Sequence, residues 1–124
     1  MTRLWLVVGS VCGFLAVLAG AFATHGLERS GLPDAARLFD TATRYQFWHA
    51  LALISVAWIV TLGPTRRLAN FAGAAFLLGI VLFSGSLYLY ALTGISALVF
   101  VTPAGGISFL VGWALLALAA FRLK

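Results

Sequence analysis

From Leu68 to Phe121 the chain runs without a single Asp, Glu, Lys, Arg or His. A folded, water-exposed surface needs charge, and this stretch has none to place there. It is too long for one membrane crossing of roughly 20 residues, and turn-forming residues interrupt it at Thr93-Gly94 and again at Thr102-Pro103-Ala104-Gly105-Gly106. The pattern predicts two helical spans, about 68–92 and 103–121, with a tight turn between them. Upstream, Leu4–Leu27 carries only His25 among acid-base groups, and Tyr45–Thr65 carries only His49 besides its tyrosine. Each is about one span long, giving further spans at about 4–25 and 42–63. The expected fold class is all-α: an integral membrane four-helix bundle in which 1–124 form one transmembrane domain.

Small residues recur at helical spacing within these segments. Gly9, Gly13, Ala16 and Gly20 fall on one face of the first span. Ala72, Ala75, Gly79 and Ser86 do so in the third, and Gly105, Ser108, Gly112 and Ala119 in the fourth. In lipid, close approach of small residues and interhelical hydrogen bonds hold helices together, so these stripes are expected to be packing faces. Internal bundle packing is the expected use, with a homo-oligomer contact as the alternative, since such spacing serves either purpose. The stretch before the second span is expected to begin a long helix at Leu32-Pro33-Asp34, with Asp40 and Arg44 one turn apart as an ion pair. Trp5 at one end, and Tyr45, Trp48, Tyr88 and Tyr90 at the other, are placed for interfacial belts; Trp113 falls mid-span, as a core or lipid-facing ring.

Composition agrees: 63% of residues are hydrophobic and 9% charged, against roughly 25% charged in ordinary globular chains. The net charge of +5 does not point to nucleic acid, because of where it sits. Arg3, Arg66, Arg67, Arg122 and Lys124 fall at the termini and the second loop, while Arg29, Arg37 and Arg44 share the first loop with all three acidic residues. By the positive-inside rule both termini are expected in the cytoplasm. Ala21-Phe22-Ala23 imitates a signal-peptidase site, but the apolar stretch before it is long and its glycines form a packing face, so a retained helix is expected. Cys12 stands alone and forms no internal disulfide.

Placed by depth, the polar side chains gather in the outer half: His25, Gln46, His49, Ser84, Ser86, Tyr88 and Thr102, drawn from all four spans. Buried polar groups in a bilayer either satisfy one another or form a site. Gln46 and His49, one turn apart, are expected to reach Ser86 or Tyr88. A proton-linked role for His25 and His49 stays open, because imidazole changes charge near neutral pH. No Cys, Asp or Glu in the spans completes a metal set, no triad or buried carboxylate pair is present, and no phosphate-binding or dinucleotide loop occurs. The expectation is therefore no catalytic residues, no metal and no cofactor.

Four segments carry a family resemblance: Gly20-Ala-Phe-Ala-Thr-His25-Gly-Leu, Tyr45-Gln-Phe-Trp-His49-Ala-Leu, Leu82-Phe-Ser-Gly-Ser-Leu-Tyr88 and Thr102-Pro-Ala-Gly-Gly-Ile-Ser-Phe-Leu-Val-Gly-Trp113. Together they resemble the YgdD/YwdK-like small membrane proteins, domain of unknown function 423, over essentially the whole chain. The resemblance implies four spans and, for a prokaryotic member, the bacterial cytoplasmic membrane. It implies no activity. The reading is a non-enzymatic membrane module, either a partner subunit or a lipid-binding element. Its rivals are a small transporter or proton-linked element using the two histidines, and a cofactor- or quinone-binding protein. Expected partners are membrane lipid and another membrane protein or a second copy of the chain, with no nucleic acid.

Overall fold

The computed structural model describes residues 1–29 and 33–123. Helix α1, Thr2–Phe22, continues into a π-helical turn, Ala23–Glu28. Helix α2 spans Pro33–Thr61 and begins on proline, where a missing N–H costs no intrahelical bond. Helix α3, Arg66–Gly79, a second π-helical turn, Ile80–Ser84, and helix α4, Gly85–Thr93, form one continuous rod. A 3-10 turn, Ser96–Phe100, leads into helix α5, Thr102–Phe121. Among the described residues there is no strand.

The chain reverses at glycines. Gly94 adopts φ +68° and its N–H bonds to the carbonyl of Tyr90 at 2.8 Å, a left-handed cap that a β-carbon would strain. Gly63, with φ +92°, turns the chain between α2 and α3. Neighbouring rods run antiparallel. Gly9 of α1 lies against Ala50, Leu53 and Ile54 of α2, and Gly20 against Thr43. Gly79 meets Phe109 of α5, Gly112 meets Phe76, and Gly105 lies against the backbone of Phe83. Both termini and the 62–65 loop therefore gather at one end of the bundle, with the Arg29 and Gly94 turns at the other.

Three helical stretches are long and apolar enough to cross a membrane: Thr2–Leu27, Arg66–Thr93 and Ser96–Phe121. The α2 rod is not among them, because Arg37, Asp40, Arg44, Gln46 and His49 dilute its first half. It is nonetheless the best-covered rod in the centre of the bundle, with Leu53, Val56 and Ala57 fully buried against Phe76, Ala72 and Ala69. Outward-facing residues elsewhere are large and apolar: Phe14, Trp58, Phe71 and Leu110 are 64–70% exposed, as suits a surface facing lipid rather than water.

The sequence-predicted packing faces meet partners within the chain. The α1 stripe Gly9, Gly13, Ala16 and Gly20 faces α2, and Ala75, Gly79, Gly105, Ser108 and Gly112 join the third rod to α5; there the Ser108 hydroxyl donates to the carbonyl of Ala75 at 2.7 Å. Trp5 corrects the interfacial expectation. It is buried, its ring lies on Gly73, and its Nε1 donates to Asn70 Oδ1 at 2.7 Å, because Gly73 opens a slot that an indole fills. The Asp40–Arg44 pair forms at 2.9 Å, and Asp34–Arg37 forms beside it; both are solvent-exposed. Leu32 of the expected helix start lies outside the described residues.

Candidate functional site

The polar layer resolves into three hydrogen-bonded units. In the first, a donor chain crosses three rods: Thr43 Oγ1 lies 3.3 Å from the Tyr88 hydroxyl, Tyr88 donates to Gln46 Oε1 at 2.9 Å, and Gln46 Nε2 donates to the carbonyl of Cys12 at 2.8 Å. With the tyrosine proton engaged by Gln46, Thr43 is the donor to Tyr88. The Tyr88 ring packs on Phe39, 4.7 Å between centroids, and Phe39 meets Phe22 edge-on. These rings cap a small outer core of Ala23, Leu27, Ala36 and Phe39.

The second unit lies at the second π turn. Ser84, fully buried, donates to the carbonyl of Ala42 on α2 at 2.8 Å. Ser86 donates to the carbonyl of Phe83 at 2.9 Å and shares a 2.7 Å hydroxyl contact with Thr102 of α5. Here Gly105 brings α5 onto the Phe83 backbone. The wide turn sits at the closest approach of the two rods, in keeping with the tendency of π turns to mark specialised positions.

His49 anchors the third unit. Its Nδ1 lies 2.6 Å from the carbonyl of Tyr45, and Trp113 Nε1 donates to its Nε2 at 3.2 Å. An indole N–H only donates, so Nε2 must accept, which assigns the proton to Nδ1 and makes the ring the neutral tautomer with both nitrogens satisfied. The imidazole stacks on Phe109 with centroids 3.5 Å apart and planes within 8°, and Phe76 and Trp113 close its sides. These contacts link α2 to α5, whose backbones otherwise barely meet.

The structure thus brings Gln46, Tyr88, Ser84, Ser86 and Thr102 into interhelical bonds, and encloses His49. It does not bring His49 to Ser86 or Tyr88: one turn below Gln46, the imidazole points toward α5. Nor does it bring His25 inward. Ala23 and Leu27 are buried, and His25, two positions from each within the π turn, is exposed on the opposite side. Trp113 is neither core nor merely lipid-facing; it is half-exposed and pairs with His49. The aromatic enclosure of Phe76, Phe109 and Trp113 was not anticipated. Its signal was the i, i+4 spacing of Phe109 and Trp113 beside the small residues of α5. Among the described residues, no group of three His, Cys, Asp or Glu is placed to hold a metal ion.

The comparisons agree on kinship. A family model described as "Protein of unknown function (DUF423)" matches residues 19–106. The UPF0382 inner membrane protein YgdD of Escherichia coli is 40% identical over 126 residues, covering 99% of this chain and 93% of that protein. The UPF0382 membrane protein SH2409 of Staphylococcus haemolyticus is 39% identical, covering 97% of each chain. The UPF0382 membrane protein YwdK of Bacillus subtilis is 37% identical, covering 97% of this chain and 98% of that protein. No solved structure matches the chain. With the family model spanning most of the sequence and these relatives aligned almost end to end, the chain belongs to the DUF423 (UPF0382) family of membrane proteins.

Proposed function

We propose that the chain is a four-span protein of the bacterial cytoplasmic membrane, with both termini inside, acting as a non-enzymatic module that engages lipid. The observation that carries this reading is the use made of the polar layer. Gln46, Ser84, Ser86, Tyr88 and Thr102 direct their hydrogen bonds to neighbouring rods, and His49 has both nitrogens engaged. A catalytic or transporting group needs a free lone pair or proton facing a substrate path, whereas these groups serve as clamps. The α2 rod enters the bilayer on this reading because its polar groups are shielded by α1, α4 and α5, which supports four spans where hydropathy alone favours three. Arginines at the 62–67 loop and the C-terminus, all at one end of the bundle, support that end as cytoplasmic.

The rival, a proton-linked transporter, requires Nε2 of His49 to gain a proton while facing the Trp113 N–H, and so requires that contact to break. Proteoliposome flux separates the two readings. Equal, background-level proton flux is expected for wild type, His49→Gln and His49→Leu; a wild-type pH-driven flux abolished by both substitutions would refute the clamp. Reporter fusions at the two ends are expected to place both in the cytoplasm, and opposite placement would refute the four-span topology.

A further inference from the structure

At the end of the bundle opposite the polar layer, a cavity of about 530 Å³ opens between the 63–68 segment and the start of the C-terminal tail, lined by Gly63, Thr65, Arg66, Arg67 and Arg122 among others. Thr65 is the N-terminal flanking residue of α3, yet its side chain makes no capping bond. Its Oγ1 is buried with no hydrogen-bond partner, the sole such side-chain atom among the described residues, although Thr65 is only 4% exposed and lines the cavity. A buried hydroxyl without a partner calls for an explanation, an unseen ligand being one. The first intrahelical bond here runs from Ala69 N–H to the Thr65 carbonyl, so the N–H groups of Arg67 and Leu68 precede the helical ladder and add positive potential. Asp34 and Asp40 lie in the first turns of α2, at the opposite end of the bundle from these arginines, and each pairs locally with Arg37 or Arg44.

We propose that this cavity binds the phosphate of an anionic phospholipid, held by Arg66, Arg67 and Arg122, with the Thr65 hydroxyl donating to it. The helix terminus and guanidinium donors match a phosphate in charge and hydrogen-bonding capacity. A lipid rather than a free phosphate is favoured by a neighbouring cavity of about 470 Å³. It shares Pro64 and Arg122 with the first and adds Leu62 and Leu123, an apolar bed for the glycerol end of an acyl chain. The proposal rests on the reading of this end as the inner, headgroup-level face, and gives the lipid-engaging role a place.

The test uses the full-length protein in mild detergent, with phosphatidylglycerol, phosphatidylcholine and inorganic phosphate as probes and native mass spectrometry as readout. Phosphatidylglycerol should be retained in preference to phosphatidylcholine. Each juxtamembrane arginine is worth about fivefold in affinity for anionic lipid, so Arg66→Gln/Arg67→Gln/Arg122→Gln should weaken binding about a hundredfold. Thr65→Val keeps shape and removes the hydroxyl; it should weaken phosphatidylglycerol binding, whereas raised stability with unchanged binding would overturn its role. Equal phosphatidylglycerol retention by wild type and the triple variant would overturn the site. If millimolar inorganic phosphate displaces the lipid and binds wild type but not the triple variant, the lipid source is overturned in favour of the free ion. Should the triple variant fail to purify, Arg122→Gln alone, at an exposed position, gives the same readout at about fivefold. A reporter placing the 62–65 loop outside the cell would defeat the topology while leaving binding in detergent intact, so the two failures are distinguishable.

Discussion

Replacing Gly105 by alanine would put a methyl carbon where the third rod already has backbone. The added carbon would lie 2.3 Å from the Phe83 nitrogen and 2.7 Å from its Cα, and backbone atoms cannot swing aside as a side chain can. Ordinary contact needs about 3.5 Å or more, so α5 would have to retreat by about 1 Å along this seam. Such a retreat loosens what the seam carries: the 2.7 Å bond from Ser108 to Ala75, the Ser86–Thr102 contact, and the ring of Phe109 against Gly79. Overpacking of this kind costs about 1–3 kcal/mol, and each weakened interhelical hydrogen bond adds about 0.6 kcal/mol, for a total of about 2–4 kcal/mol. Gly13→Ala is the matched control. Its new carbon would meet only Ala50 Cβ at 3.9 Å, ordinary contact, and alanine favours the helix by up to about 1 kcal/mol. Unfolding by dodecyl sulfate in mild-detergent micelles, followed by circular dichroism, should show Gly105→Ala strongly destabilised and Gly13→Ala equal to wild type or better. Equal stability of the two variants would refute the close approach of α5 to the π turn.

Three further outcomes follow from the bonds described. A double-mutant cycle of His49→Leu and Trp113→Phe should give a coupling of about 0.6–1.7 kcal/mol, with His49→Gln retaining part of it; zero coupling would remove the Trp113 bond. Tyr88→Phe, which keeps the ring on Phe39 but removes the donor to Gln46, should destabilise by about 0.5–1.5 kcal/mol in the same unfolding assay, and no loss would argue against the donor chain. Deleting Leu82, one residue of the second π turn, should remove the extra residue and leave α4 in α-helical register with Tyr88 still facing Gln46, whereas deleting Val81 and Leu82 together should rotate α4 by about 100° and take Tyr88 from Gln46. A double deletion as stable as the single one would show that the register beyond the wide turn carries no positional role.

Much of this arrangement was legible because lipid imposes few options on a backbone. The charge-free run from Leu68 to Phe121, broken at Gly94, fixes two helices and their turn. The Gly9-to-Gly20 spacing announces a groove that α2 fills. Periodicity assumes 3.6 residues per turn, however, and each π turn adds a residue that it cannot register. His25 was misplaced for a simpler reason, depth having been weighed without direction: two positions from Ala23 and Leu27, it lies about 200° around the helix from each even at 3.6 residues per turn, and so faces outward between two buried neighbours. The partner of His49 was hidden in the same way. Depth alone made Tyr88 and Ser86 plausible neighbours, but direction around the α2 axis points the imidazole at Trp113 and Phe109 instead. Trp5 was misplaced because an interfacial tryptophan and a buried one have the same sequence context; the Gly73 slot that decides between them lies in another helix.

The central rod α2 carries Gln46 and His49, and each has a side-chain hydrogen bond to another rod. A single helix with Gln46 and His49 uncovered would be a reluctant passenger in hydrocarbon. Its amide is answered by the Cys12 carbonyl of α1, which is synthesised first, whereas the indole that answers His49 lies on the last helix to emerge. Biogenesis on a four-span path therefore has a built-in order: an opening hairpin half-sheltered at the translocon, then a late closing step in which the final helix docks over the imidazole.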